Sequence, residues 1–172
     1  CFGMLIGKTQ TVHIKATEEK LFSLLPSSQT GINFNNTVAD TKEANALIYE
    51  LFYNGAGVAI EDINNDGLPD IYFAGNQVRD RLRINELYIN NGDLTFTESA
   101  HQYNLNDPFR AIHANFLDFD KDGDFDMFLI NQPPNPSLLS PLKGRNWLSP
   151  DLTYRFMENT GAGFKEVTAA VG

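Results

Sequence analysis

At 172 residues the chain can bury the core of one ordinary domain, and a 42% hydrophobic and 12% aromatic composition excludes a disordered one. A formal net charge of −9 argues against a nucleic-acid partner, because phosphate binding needs a basic face. The excess is concentrated in eight Asp, at 62, 66, 70, 118, 120, 122, 124 and 126, without which 14 acids face 13 bases. A solvated acidic face would spread its carboxylates and would not fix them at alternating positions.

In chain order, residues 1–20 read as an N-terminal tether or signal remnant. A single cysteine cannot form an internal disulfide, and Cys1 heads the apolar stretch Cys1–Gly7. Three readings of that stretch stay open: the lipid-modified first residue of a bacterial lipoprotein, the tail of a signal sequence, or the start of a fragment. No run is long enough for a transmembrane helix. Residues 21–53 form a lead-in segment. Glu18–Leu25, across its start, suggests a short helical turn stopped by Pro26, Leu21–Val38 offers a strand or a packing segment, and Thr41–Phe52 reads as a helix or an extended lead-in.

The rest repeats once, as a first unit over 54–109 and a second over 110–172. Gly57-Val-Ala-Ile-Glu-Asp-Ile-Asn-Asn-Asp-Gly-Leu-Pro-Asp-Ile-Tyr-Phe-Ala corresponds to Ala114-Asn-Phe-Leu-Asp-Phe-Asp-Lys-Asp-Gly-Asp-Phe-Asp-Met-Phe-Leu-Ile, and the two acidic loops begin 56 residues apart, at 62 and 118. Asn-Gln follows in both units, then a β-forming run, a Gly turn and a final short run; an insertion at 133–150 displaces the later part of the second unit. Ile71–Ala74 and Met127–Ile130 read as strands buried on both faces. Leu87–Phe96, with Asn91-Gly92 at its turn, is a hairpin, and Asn159-Thr-Gly-Ala-Gly-Phe plays the same part later. About four strands in such a unit is the size of a propeller blade.

The loops Asp62–Asp70 and Asp118–Asp126 carry the chemistry. A loop that turns oxygens inward at its first, third and fifth positions wraps a hard cation such as Ca²⁺, which takes about six to eight oxygen ligands. Here those are Asp62, Asn64 and Asp66, then Asp118, Asp120 and Asp122. Gly67 and Gly123 stand at the sixth position, where the chain turns sharply and a Cβ would obstruct it. The seventh offers a backbone carbonyl, from Leu68 and Asp124, and Asp70 and Asp126 close the cage at the ninth. An EF-hand needs a bidentate Glu at the twelfth position between helices. Phe73 and Leu129 stand there, in strand-like runs, which excludes that reading. An Asx-rich turn could mimic one loop; two in equivalent places point to two calcium sites. Magnesium prefers a smaller octahedral site that keeps waters.

With both loops read, residues 54–172 resemble FG-GAP/VCBS repeat proteins, the calcium-loop blades of integrin-α-type propellers. The resemblance is closest to secreted or lipid-anchored bacterial propellers that often end in an ASPIC/UnbV module. Their lead-in looks like Phe22-Ser-Leu-Leu-Pro-Ser-Ser-Gln-Thr-Gly-Ile-Asn-Phe-Asn-Asn, followed by Tyr53-Asn-Gly-Ala-Gly-Val-Ala-Ile-Glu-Asp. The implied fold is all-β, an incomplete propeller of two blades of antiparallel strands. Two departures stand out. Gly55-Ala-Gly57 has no counterpart before the second loop, where Arg110-Ala-Ile-His113 stands instead. Family propellers also close with about seven blades, so the expectation is an amino-terminal part of a longer protein.

The insertion holds Trp147, Arg145 and Lys143, which read as a Pro-stiffened cover of the blade edge ahead of a ligand-binding loop. His13, His101 and His113 show no metal-site spacing, and His113 reads as a strand residue near the second loop. Asn35-Asn-Thr37 fits a glycosylation sequon, and Arg79–Arg83 a solvated basic turn. There is no nucleophile–His–acid set and no phosphate loop, so a non-enzymatic role is expected. The expected function is an extracellular or cell-envelope calcium-binding propeller module for a protein or glycan partner, with a structural spacer of a larger surface protein, or part of a propeller-containing enzyme, as the alternatives.

Overall fold

The computed structural model describes residues 22–36, 42, 45, 55–75, 85–106, 110–132 and 154–171. The fold is nearly all-β, as the repeat implies. Strands β1 (Val58–Glu61), β2 (Asp70–Phe73), β3 (Glu86–Asn90) and β4 (Phe96–Glu98) form one antiparallel meander in chain order. Strands β5 (Arg110–Leu117), β6 (Asp126–Gln132), β7 (Tyr154–Asn159) and β8 (Phe164–Glu166) form a second of the same order. Each acidic loop joins the first two strands of its sheet. The two sheets do not close on themselves and constitute an open, propeller-like pair.

One core lies between the sheets. Ala59, Tyr72 and Leu87 of the first meet Ala114, Met127, Leu129, Met157 and Phe164 of the second, with the Tyr72 ring edge-on to Phe116 at 6.3 Å. The innermost strands approach closely. A Cβ at Gly57 would lie 3.1 Å from His113 Cα and from the Ile112 carbonyl, a contact that only glycine tolerates comfortably. Gly75 O accepts a hydrogen bond from Ala111 N–H at 3.1 Å, tying the end of β2 to the start of β5. A register shift between Ala111 and His113 marks a bulge opposite β6.

Three local expectations change. β2 and β6 are not buried on both faces; Tyr72, Met127 and Leu129 are buried while Ile71, Phe73, Phe128 and Ile130 are half-buried, because each sheet meets the other on one side only. Residues 22–26 are not helical, and helix α1 (Ser27–Thr30) begins after Pro26, whose fixed φ suits a helix start better than a stop. The lead-in contributes no strand over 22–36 and packs instead: Phe34 stacks on Phe73 at 4.7 Å and Asn33 N–H donates to the Tyr88 hydroxyl at 3.1 Å. Helix α2 (Thr168–Val171) follows β8.

The hairpin loops fall where expected. They are longer than two residues, with Gly92 at φ 83° and Gly161 at φ 73°, both in the left-handed region. Cys1 and the tether, Thr41–Phe52 apart from residues 42 and 45, Arg79–Arg83, His13, and the insertion with Lys143, Arg145 and Trp147 lie outside the described residues. Among the described residues no helix is long and apolar enough to cross a membrane.

Candidate metal centres

Both loops share one backbone path. Gly67 and Gly123 take φ of 86° and 99°, the positive values expected at the sixth position. Two positions earlier, Asn65 and Lys121 also lie in the left-handed region, at φ 57° and 67°. Asn accepts that conformation readily, whereas Lys121 is held there by the loop.

The closing residues are the most deeply placed. Asp70 and Asp126 are both 0% exposed. Asp70 Oδ2 accepts from Ile63 N–H at 3.0 Å and Oδ1 from Asn90 N–H at 2.8 Å, so one carboxylate ties the loop to β3. Asp126 repeats the arrangement, with Phe119 N–H on Oδ2 at 3.1 Å and Asn159 N–H on Oδ1 at 2.8 Å. Burial raises the pKa of both; the two N–H bonds oppose that rise, and neighbouring loop carboxylates add to it.

The other ligand positions differ between loops. In the second, carboxylate oxygens of Asp118, Asp120 and Asp126 lie within 4.8 Å of one another. Asp122 N–H bonds Asp120 Oδ1 at 3.2 Å and Asp124 N–H bonds Asp122 Oδ1 at 3.1 Å, which leaves most carboxylate lone pairs free. In the first, Asp62, Asp66 and Asp70 do not gather in that way. Asp62 accepts from Asp66 N–H at 3.0 Å and Gly67 N–H at 2.8 Å, and Asp66 accepts from Leu68 N–H at 2.8 Å. Asn64 Nδ2 donates to Asp66 Oδ2 at 2.9 Å, a self-closure that an Asp at that position could not make.

Asp124 enters in a way the sequence did not suggest. Its side chain, beyond the carbonyl expected there, sits among the acids with Oδ1 buried and without a hydrogen-bond partner. Its carboxyl is pushed up to about 6, first by desolvation, then by the hydrogen bond and charge of Asp122 and by the charges of Asp126 and Asp120. An all-oxygen donor set with crowded, partly desolvated carboxylates fits a hard divalent cation. The sign of the pH effect follows. A folded pKa raised above the ordinary 3.8 gives stability that is present below 3.8 and lost as pH rises through about 6. Chelator-stripped protein is therefore expected to melt higher at pH 5 than at pH 7.5, with the difference reduced by Asp124→Asn; a difference unchanged in that variant would show that Asp124 is unstrained by its neighbours.

One further residue links the loops. Asn159, buried at the end of β7, donates through Nδ2 to Ile63 O of the first loop at 3.0 Å and to Phe125 O of its own at 3.3 Å. The signal in the sequence is the Asn that opens each hairpin turn: Gly92 N–H bonds Asn90 Oδ1 at 3.0 Å and Gly161 N–H bonds Asn159 Oδ1 at 3.1 Å. On the far side of the first sheet, Asn33, Asn85, Glu86, Tyr88, Glu98 and His101 line a groove of about 420 Å³. Tyr88 donates to Glu86 Oε2 at 2.6 Å, and burial followed by that bond pushes its hydroxyl up to about 12. Asn85 is 1% exposed; its Oδ1 accepts from Gly75 N–H at 2.8 Å and its Nδ2 has no partner.

Four-stranded meanders side by side, each with an acidic loop between its first two strands, define an open propeller-like β-protein. Residues 62–129, from the first loop's opening Asp62 to Leu129 of β6, match the FG-GAP-like repeat family. The chain thus carries an FG-GAP-like repeat. A comparison with curated proteins found no match.

Proposed function

We propose that the chain is a calcium-stabilised binding module of the cell surface or extracellular space, non-enzymatic, that presents its sheets to a protein or glycan. The observation that carries the calcium reading is the approach of Asp118, Asp120 and Asp126 within 4.8 Å in a stretch matching an FG-GAP-like repeat. Asp118, Asp120, Asp122, Asp126 and the Asp124 carbonyl would hold the ion in the second loop; Asp62, Asn64, Asp66, Asp70 and the Leu68 carbonyl would hold it in the first. Calcium supplies charge neutralisation there: two ions would bring the formal charge from −9 to −5. The carboxylates act as ligands and hydrogen-bond acceptors and are not assigned acid or base work. The groove suits a hydroxylated ligand, since a hydroxyl there can donate to Glu86 or Glu98.

Calorimetric titration of calcium into chelator-stripped protein tests this. Binding at two sites near ~10⁻⁴–10⁻³ M or tighter is expected. Asp120→Ala should abolish the second site and Asp66→Ala the first. Absence of binding by protein that is folded by circular dichroism would overturn the reading. The second loop should be the tighter, because the first must give up the hydrogen bond from Asn64 to Asp66 before its oxygens are free.

A further inference from the structure

One continuous run of buried hydrogen bonds joins the two acidic loops. In the first loop, Ile63 N–H donates to Asp70 Oδ2 at 3.0 Å. The carbonyl of the same residue accepts from Asn159 Nδ2 at 3.0 Å, across the boundary between the sheets. Asn159 N–H in turn donates to Asp126 Oδ1 at 2.8 Å, in the second loop. Each end of the run is thus the carboxylate that closes a loop, and a single residue on either side spans the gap.

The run is stiff. Asp70, Ile63, Asn159 and Asp126 are all buried, so water does not compete for these bonds and each holds its neighbour in place. The Asn159 amide cannot turn freely, because it also donates to Phe125 O at 3.3 Å and accepts from Gly161 N–H at 3.1 Å. Ile63 lies between Asp62 and Asn64, two of the candidate ligands of the first loop, so the peptide that Asn159 grips is part of that loop. Asn90, the counterpart at the first hairpin, donates instead to Pro69 O of its own loop at 3.0 Å. The crossing therefore belongs to Asn159.

We infer that the two loops load cooperatively, with Asn159 as the positioning residue that couples them; this rests on the calcium reading above. Fixing either closing carboxylate fixes the run, and the other loop then has less freedom left to lose when it binds. Linkage makes the effect reciprocal, so each loop should raise the affinity of the other by the same factor, about fivefold or more. Repulsion between two divalent ions acts in the opposite sense and is screened by salt.

Calorimetric titration of calcium into the chelator-stripped whole chain, at physiological ionic strength, tests the coupling. Asp66 and Asp120 are exposed and lie outside the run. Asp120→Ala, which empties the second loop, should weaken binding at the first by about fivefold or more, and Asp66→Ala should weaken the second by the same factor. With Asn159→Ala added, both reductions should vanish. A second measurement leaves the buried residues untouched: in Asp66→Ala, whose first loop takes no ion, calcium bound by the second should slow hydrogen exchange of the Ile63 amide by about fivefold or more. Affinities indifferent to the emptied loop, a reduction that persists in folded Asn159→Ala, or an Ile63 amide unmoved by calcium would each overturn the coupling while leaving two calcium sites standing. A folded wild type that takes up no calcium would overturn both the coupling and the reading beneath it.

Discussion

Asp126→Ala is expected to lower the unfolding free energy by about 2–6 kcal/mol in excess chelator, where no metal contributes. The reason is structural. Asp126 is 0% exposed and both its oxygens are occupied, by Phe119 N–H at 3.1 Å and Asn159 N–H at 2.8 Å. Alanine strands both donors, and each buried N–H without a partner costs about 1–3 kcal/mol. Asn159 is also the residue that reaches Ile63 O in the first loop, so the damage reaches the contact between sheets. Asp118→Ala is the control: its side chain is exposed, and a surface change away from such features shifts stability by about 0.5 kcal/mol or less. Urea unfolding of both variants, with and without calcium, separates the roles. Asp118→Ala should lose only the calcium-dependent increment, whereas Asp126→Ala should lose that and the metal-free stability. Equal metal-free stabilities would mean that the ninth-position carboxylate matters only as a ligand.

Tyr72→Ala is expected to cost about 3–5 kcal/mol, the range for removing a large buried ring. Tyr72 is 0% exposed at the centre of β2 and lies edge-on to Phe116, so its ring belongs to both sheets at once. Phe73→Ala, one residue along, should cost clearly less. Its ring is only half-buried and stacks on Phe34 of the lead-in instead of on the second sheet. Thermal or urea unfolding followed by near-ultraviolet circular dichroism checks the contrast. If the sheets fold as independent units, Tyr72→Ala will give two separate transitions; if they share one core, a single transition will move down. A smaller loss for Tyr72→Ala than for Phe73→Ala would refute the placement of the core between the sheets.

Much of this was legible in the residues because it is local. A Gly directly after the last of three alternating oxygens fixes a left-handed turn, and Gly67 and Gly123 adopt it. The hairpins at Asn91-Gly92 and Thr160–Gly163 follow from turn chemistry in the same way. The first strand pairs also follow, since each acidic loop brings its flanking runs into antiparallel register. The site was legible only as a set of positions. That Asn64 would turn its amide onto Asp66 and keep the first loop hydrogen-bonded to itself depends on a side-chain rotation that no spacing encodes.

The sequence by itself determined an all-β repeat and two acidic loops of one backbone path, because alternation, glycine and turn preference act within a few residues. The tertiary structure alone decided which side of each strand is buried. Ile71-Tyr-Phe-Ala and Met127-Phe-Leu-Ile are apolar throughout, so no period-two pattern marks a face; the face is chosen by the neighbouring sheet, which is why Tyr72 is buried while its counterpart Phe128 is half-exposed. It also decided the bond from Asn159 to Ile63, 96 residues away, and the partnerless oxygen of Asp124, both of which arise when the chain brings distant polar groups into one low-dielectric place.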